Sequence, residues 1–232
     1  MQTCVLLRLL FLCWLAAMFS ASNSISIAYC QVESVNKSEA EQYRDIVQAM
    51  ARKDYAEAMA QGYKLIERTN KYEQVYLRIV RAAKNANQLD RAKERFESLL
   101  QKSPPNHRGY FGLGLICNEQ EDYVAAIEYY RKSLQKDLNF PLPMLALVDA
   151  FRKSEGLEKA AEYIKSLTSL NLNESIIHLG LGYCYAKNSQ AEMATKEFDL
   201  AMSLTPKMPE ACYHKALALT LVGQQRSSFD VI

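Results

Sequence analysis

The stretch Ser175–Lys207, SIIHLGLGYCYAKNSQAEMATKEFDLAMSLTPK, holds two helix-period patterns divided by a polar turn. Leu181, Gly182 and Tyr185 follow His178 at offsets of three, four and seven, which is one face of a helix. Ala194, Phe198 and Ala201 make a second such face, and Pro206 closes it. Moving outward in steps of 34 residues, the same columns return. Ala58, Ala92, Ala126, Ala160 and Ala194 are evenly spaced, each followed four residues later by Gly62, Phe96, Tyr130, Ile164 and Phe198. Upstream of each alanine stand Tyr76, Tyr110, Met144, His178 and Cys212, and beside these Val80, Gly114, Val148, Gly182 and Ala216. The six prolines, Pro104, Pro105, Pro141, Pro143, Pro206 and Pro209, all fall at the seams between repeats. A proline there ends one helix or opens the next and costs little. Eight glycines and six prolines in 232 residues are about half the usual share, too few for the turns of an all-β fold. The chain reads as all-α, built from helix pairs that bury their faces only by stacking.

This pattern resembles the tetratricopeptide repeat family. The small residue on the first helix (Gly114, Gly182), the alanine on the second and the closing proline (Pro104, Pro206) carry the resemblance. It implies a right-handed superhelical solenoid of stacked antiparallel helix pairs, with first helices lining a concave groove. Units are expected near residues 39–72, 73–106, 107–140, 141–174 and 175–208, with a final helix over 209–223 and a tail over 224–232. Two places depart from the pattern. In the first unit Gln42 and Asp45 occupy apolar columns, whereas Tyr43, Ile46, Val47 and Met50 make an apolar face one residue later, so two registers compete. The last helix is apolar nearly all round, so it is expected to be covered by the tail or by another chain.

Residues 1–22 read as a signal peptide and 23–38 as a linker. Arg8 precedes the apolar run Leu9–Phe19, and small residues follow at Ser20, Ala21 and Ser22. The run is shorter than the ~18 residues of a spanning helix. Export to the periplasm or the extracellular space is therefore expected, with an uncleaved membrane anchor as the alternative. Of six cysteines, Cys30, Cys117, Cys184 and Cys212 follow the leader, without a CxxC pair. Cys117 and Cys212 fall in core columns and read as small hydrophobes, with a Cys184–Cys212 bridge as the competing possibility.

The resemblance places Leu77, Arg81, Lys84, Arg108, Phe111, Leu115, Leu142, Leu145, Asp149, Arg152, Ile176, Leu179, Tyr183 and Lys187 on the groove. The early groove is then basic, through Arg81, Lys84 and Arg108, and the later groove is apolar. An exposed apolar strip of that size marks a binding site for a protein or peptide. The competing reading packs these residues against neighbouring first helices. Leu77 and Gly112 stand where the family's carboxylate-clamp members need polar or basic groups, so binding of acidic chaperone tails is not carried over.

Chemistry is sparse in this sequence. No H-E-x-x-H, G-x-S-x-G, P-loop or G-x-G-x-x-G motif is present. Gly112-Leu113-Gly114 and Gly180-Leu181-Gly182 lie mid-helix two periods apart and read as close-packing sites. His178, Cys184 and Cys212 have no recognised metal-ligand spacing. A formal charge of +2 gives no basic footprint for nucleic acid. The reading is a non-enzymatic, cofactor-free scaffold or adaptor for an envelope, pilus or secretion assembly. Homodimerisation through the last helix, or a fragment of a larger enzyme, are the alternatives.

Overall fold

In a computed structural model, the structure describes residues 38–102, 105–170 and 172–229. The expected leader, the linker up to residue 37 and the seam residue Pro104 lie outside the described residues. Among the described residues there are eleven α-helices, one short 3-10 segment and no strand. The first helices of the units are α1 (Glu39–Ala51), α3 (Gln74–Asn85), α5 (Gly109–Glu119), α7 (Leu142–Ser154) and α9 (Glu174–Lys187). Their second helices are α2 (Tyr55–Arg68), α4 (Leu89–Leu100), α6 (Tyr123–Lys136), α8 (Leu157–Ser166) and α10 (Ala191–Leu204). The final helix, α11, spans Pro209–Phe229 and so runs past residue 223. The chain is an all-α solenoid of stacked antiparallel helix pairs.

Each pair reverses direction in the same way. Lys53, Asn87, Glu121 and Ser189, spaced by the repeat, adopt φ of 61°, 54°, 63° and 58°, and Gly156 adopts 100° one place late in the fourth unit. The residue after each, or Gly156 itself, donates its N–H five residues back, to Ala49, Ala83, Cys117, Phe151 and Tyr185 carbonyls at 2.8–2.9 Å. In the four units with Lys53, Asn87, Glu121 and Ser189 this is the Schellman closure, which satisfies a helix-end carbonyl at the cost of one left-handed residue, whereas in the fourth unit Glu155 keeps a negative φ and Gly156 turns the chain. The second helix starts immediately afterwards, capped by Asp54 on Glu57 N–H and by Asp122 on Ala125 N–H, both at 3.1 Å. At the start of α1, Ser38 Oγ accepts from Glu41 N–H while Glu41 accepts from Ser38 N–H, a capping box.

The helices interlock by size. A Cβ at Gly114 would lie 2.5 Å from Tyr130, and one at Gly182 would lie 2.7 Å from Phe198. Between units, Gly112 meets Phe96 and Gly180 meets Met144 in the same manner. Gly62 sits where other units carry a large residue, and there the next first helix supplies the bulk, since Ile79 would be 2.6 Å from its Cβ. The two registers of the first unit are also resolved: Gln42, Ile46 and Ala49 form its buried face, in line with the other units. Gln42 is tolerated there because its amide donates to the Gln61 carbonyl at 3.3 Å and Arg68 donates to its oxygen at 3.4 Å.

The last helix is covered on one side. Ala211 and Ala218 are fully buried, whereas Cys212, Tyr213, Leu217 and Leu219 are exposed among the described residues. Cys212 therefore does not occupy a core site, because no second helix is described on that face. Cys184 is buried and donates to the Leu157 carbonyl, and Cys212 lies beside Met202, so the two thiols do not pair.

Candidate partner groove

The curvature follows from which helices touch. Successive first helices pack closely on one another along the stack, whereas the backbones of successive second helices stay farther apart. The first helices therefore line the inner, concave side, and their solvent-facing residues make its floor.

On α3, Arg81 and Lys84 are exposed, and Leu77 is 38% exposed between them and Gln74. Lys84 donates to Glu119 on α5 at 2.5 Å, and this contact raises the lysine pKa. Arg78 donates to the Tyr43 hydroxyl at 3.3 Å and lies over that ring. Met50, Leu77, Arg81, Leu115 and Glu119 surround a depression of about 240 Å³. This is the early part of the groove, and it is basic with an apolar base.

Farther along, α7, α9 and α11 contribute a polar cluster. Asp149 accepts from the Tyr183 hydroxyl at 3.0 Å and from Arg152 at 3.4 Å. Lys187 lies 5.0 Å over the Tyr183 ring, and His214 meets the same ring edge-on at 4.7 Å. Burial, followed by the Asp149 charge, raises the Tyr183 hydroxyl pKa. Burial and Lys187 lower that of His214, which favours the neutral ring. Leu145 is half-buried beside this cluster, and Arg152 is exposed.

Several residues expected to line an open apolar strip are buried instead. Phe111 is 1% exposed and packs edge-on against Phe140 at 5.0 Å. Leu115, Leu142, Ile176, Leu179 and Tyr183 are also buried. The cause is the close approach of neighbouring first helices: Gly180 lets α9 rest against Met144 of α7, and the side chains between the columns close over. Arg108 is a second correction. It is 8% exposed and lies outside the groove, at the seam edge. Its guanidinium donates to the Asn70 carbonyl at 2.7 Å, to Glu73 at 3.1 Å and to Asp137 at 2.7 Å, and lies 4.2 Å over Phe140. It ties three consecutive seams together. The accessible groove set is therefore Leu77, Arg78, Arg81, Lys84, Leu145, Asp149, Arg152 and Lys187. Of these, Arg78 alone falls outside the groove positions expected from sequence, and it stands one place after Leu77 on the same helix.

His178 pairs with Glu197 at 2.7 Å, away from Cys184 and Cys212, so these three do not form one cluster. Among the described residues no group of three or more His, Cys, Asp or Glu side chains converges as metal ligands. No helix among them is long and apolar enough to cross a membrane.

The chain is similar in structure to TTC0263, a tetratricopeptide repeat protein of Thermus thermophilus, at 16% identity and a TM-score of 0.44, covering 79% of this chain and all of that one. It is similar to yeast Tom70 at 16% identity and a TM-score of 0.48, covering 84% of this chain and 42% of Tom70. It is also similar to the TPR2AB domain of yeast Sti1, solved in complex with pHSP90, at 14% identity and a TM-score of 0.36, covering 83% of this chain and 87% of that one. Residues 77–137, from within α3 to the end of the third unit's second helix, match the tetratricopeptide repeat family.

Proposed function

We propose that this chain is a non-catalytic scaffold whose concave face holds a partner segment bearing carboxylates around one or two apolar side chains. The observation that carries this reading is the charge of the accessible groove. Among the described residues, the five cations Arg78, Arg81, Lys84, Arg152 and Lys187 stand around Leu77 and Leu145, with Glu119 and Glu121 beside Lys84 and Asp149 beside Arg152 as acidic neighbours. Complementary charge sets orientation and on-rate, while the apolar anchors supply affinity. The match of residues 77–137 to a repeat family that generally mediates protein–protein contact supports the same reading. The partner is a protein or peptide.

The test compares proteins retained from native extract by the wild type and by Arg81→Glu combined with Arg152→Glu. Both side chains are exposed, so the fold is expected to survive. A specific partner held by the wild type and lost by the variant is the expected result. An identical set of retained proteins would reject the groove. The finer setting, an exported adaptor in an envelope, pilus or secretion assembly, rests on the leader-like residues 1–22. N-terminal sequencing of the protein from fractionated cells tests it, and an intact, cytosolic chain overturns it.

A second reading is favoured by Tyr213, Leu217 and Leu219, which are 62%, 47% and 51% exposed on α11. An apolar face of this kind suits self-association. Light scattering on the purified chain checks it: a dimer dispersed by Leu217→Glu supports self-association, and a monomer rules it out.

A further inference from the structure

We propose that the trough between α2 and α4, on the convex face, is a second docking site, for an amphipathic helix of a partner protein with Asp or Glu on its flanks. The proposal is independent of the groove, which lies on the opposite face. Being successive second helices, α2 and α4 keep their backbones apart and meet through side chains, Tyr63 edge-on to Phe96 and Arg95 on Glu67, and a cleft of about 640 Å³ remains between them. Its floor is made of small or buried apolar residues, Ala56, Met59, Ala60 and Ala92. Ala56 and Ala60 stand one turn apart on α2, so the wall is a row of small residues into which the ridge of a third helix fits. From Ala56 to Lys64 the trough runs ~12 Å, two to three helical turns.

The rim fixes the sign of the partner's charge. Lys64 stands on one wall and Arg91 and Arg95 on the other. Arg95 is held by Glu67 at 2.6 Å and lies 5.7 Å over the Tyr63 ring, which orients it. Lys64 and Arg91 have no carboxylate partner among the described residues, and Glu94 is the acidic residue lining the trough. The Tyr63 hydroxyl is a donor without a hydrogen-bond partner among them. The N-terminus of α4 opens here with no side-chain cap, adding partial positive charge. Apolar floor and cationic walls together suit a helix with an apolar stripe between acidic flanks.

The test uses a labelled peptide of about 14 residues, with Leu at helical spacing and Glu on both flanks, and its counterpart with Lys for Glu. Both are titrated against the full chain by fluorescence anisotropy. The Glu peptide is expected to bind, to weaken about tenfold or more with Lys64→Glu plus Arg91→Glu, and to be unaffected by the groove change Arg81→Glu plus Arg152→Glu. The Lys peptide is expected to bind about tenfold or more weakly. Lys64 and Arg91 are exposed, and circular dichroism confirms that the variant folds. The proposal is overturned by absence of binding, by equal binding of the two peptides, by loss only in the groove variant, or by displacement at equimolar octanoate, which would assign the trough to a free organic acid.

Discussion

The turn inside each helix pair is the part of the repeat under most backbone strain. A left-handed residue closes four of the five, and in three of these it is Lys53, Glu121 or Ser189. An L-residue with a Cβ loses about 1–2 kcal/mol in that region, whereas Gly loses nothing and Asn little. Glu121→Gly is therefore expected to stabilise the chain by about 0.5–1 kcal/mol after the extra chain entropy of Gly in the unfolded state. A rise of roughly 1–4 °C in the thermal midpoint would show this. Asn87→Gly serves as the control and is expected to change the midpoint less. The sequence placed these turns, because polar residues interrupt two helical faces there. It did not reveal the left-handed conformation, since no glycine marks it in four of the five units.

At the scale of the helix, paired large and small residues decide how near two elements come. Gly182 lies under Phe198 with no room for a methyl group. Gly182→Ala is expected to destabilise by about 1–3 kcal/mol, as overpacking does. Phe198→Leu in the same chain should recover part of that loss, because the two positions touch. A urea-unfolding double-mutant cycle measures this, and additive losses would contradict direct packing. The columns, the packing role of the paired glycines and the seams were legible because periodicity reports which face of a helix is apolar. The fate of Phe111, Leu179 and Tyr183 was not. Periodicity gives direction around one helix, while their burial depends on the distance to the next, which Gly180 and Met144 set. The exception at Gly62 has the same explanation, for its partner Ile79 is on another helix in another unit.

Across the whole molecule, nearest-neighbour contact is the only requirement of a solenoid, so a residue that spans three seams is a separate device. Arg108 does so through Asn70, Glu73, Asp137 and Phe140. From sequence it is one more cation near a first helix, and nothing local separates a groove residue from a clamp. The clamp has a weak member. Burial pushes the Glu73 carboxyl up to about 7 in spite of Arg108, with Glu210 and Asp137 adding repulsion. A carboxyl raised on folding contributes stability that is present below its unfolded pKa and is lost as pH rises through the folded value. The window thus runs from about 4.5 to about 7, and across it the folded chain holds the extra proton. Glu73→Gln keeps a hydrogen-bond acceptor for Arg108 and removes the buried charge. Its urea midpoint is expected to match the wild type near pH 4.5 and to exceed it at pH 8. If the variant is instead weaker at pH 8, the Glu73–Arg108 attraction outweighs the burial of Glu73, and the clamp tightens rather than loosens as pH rises.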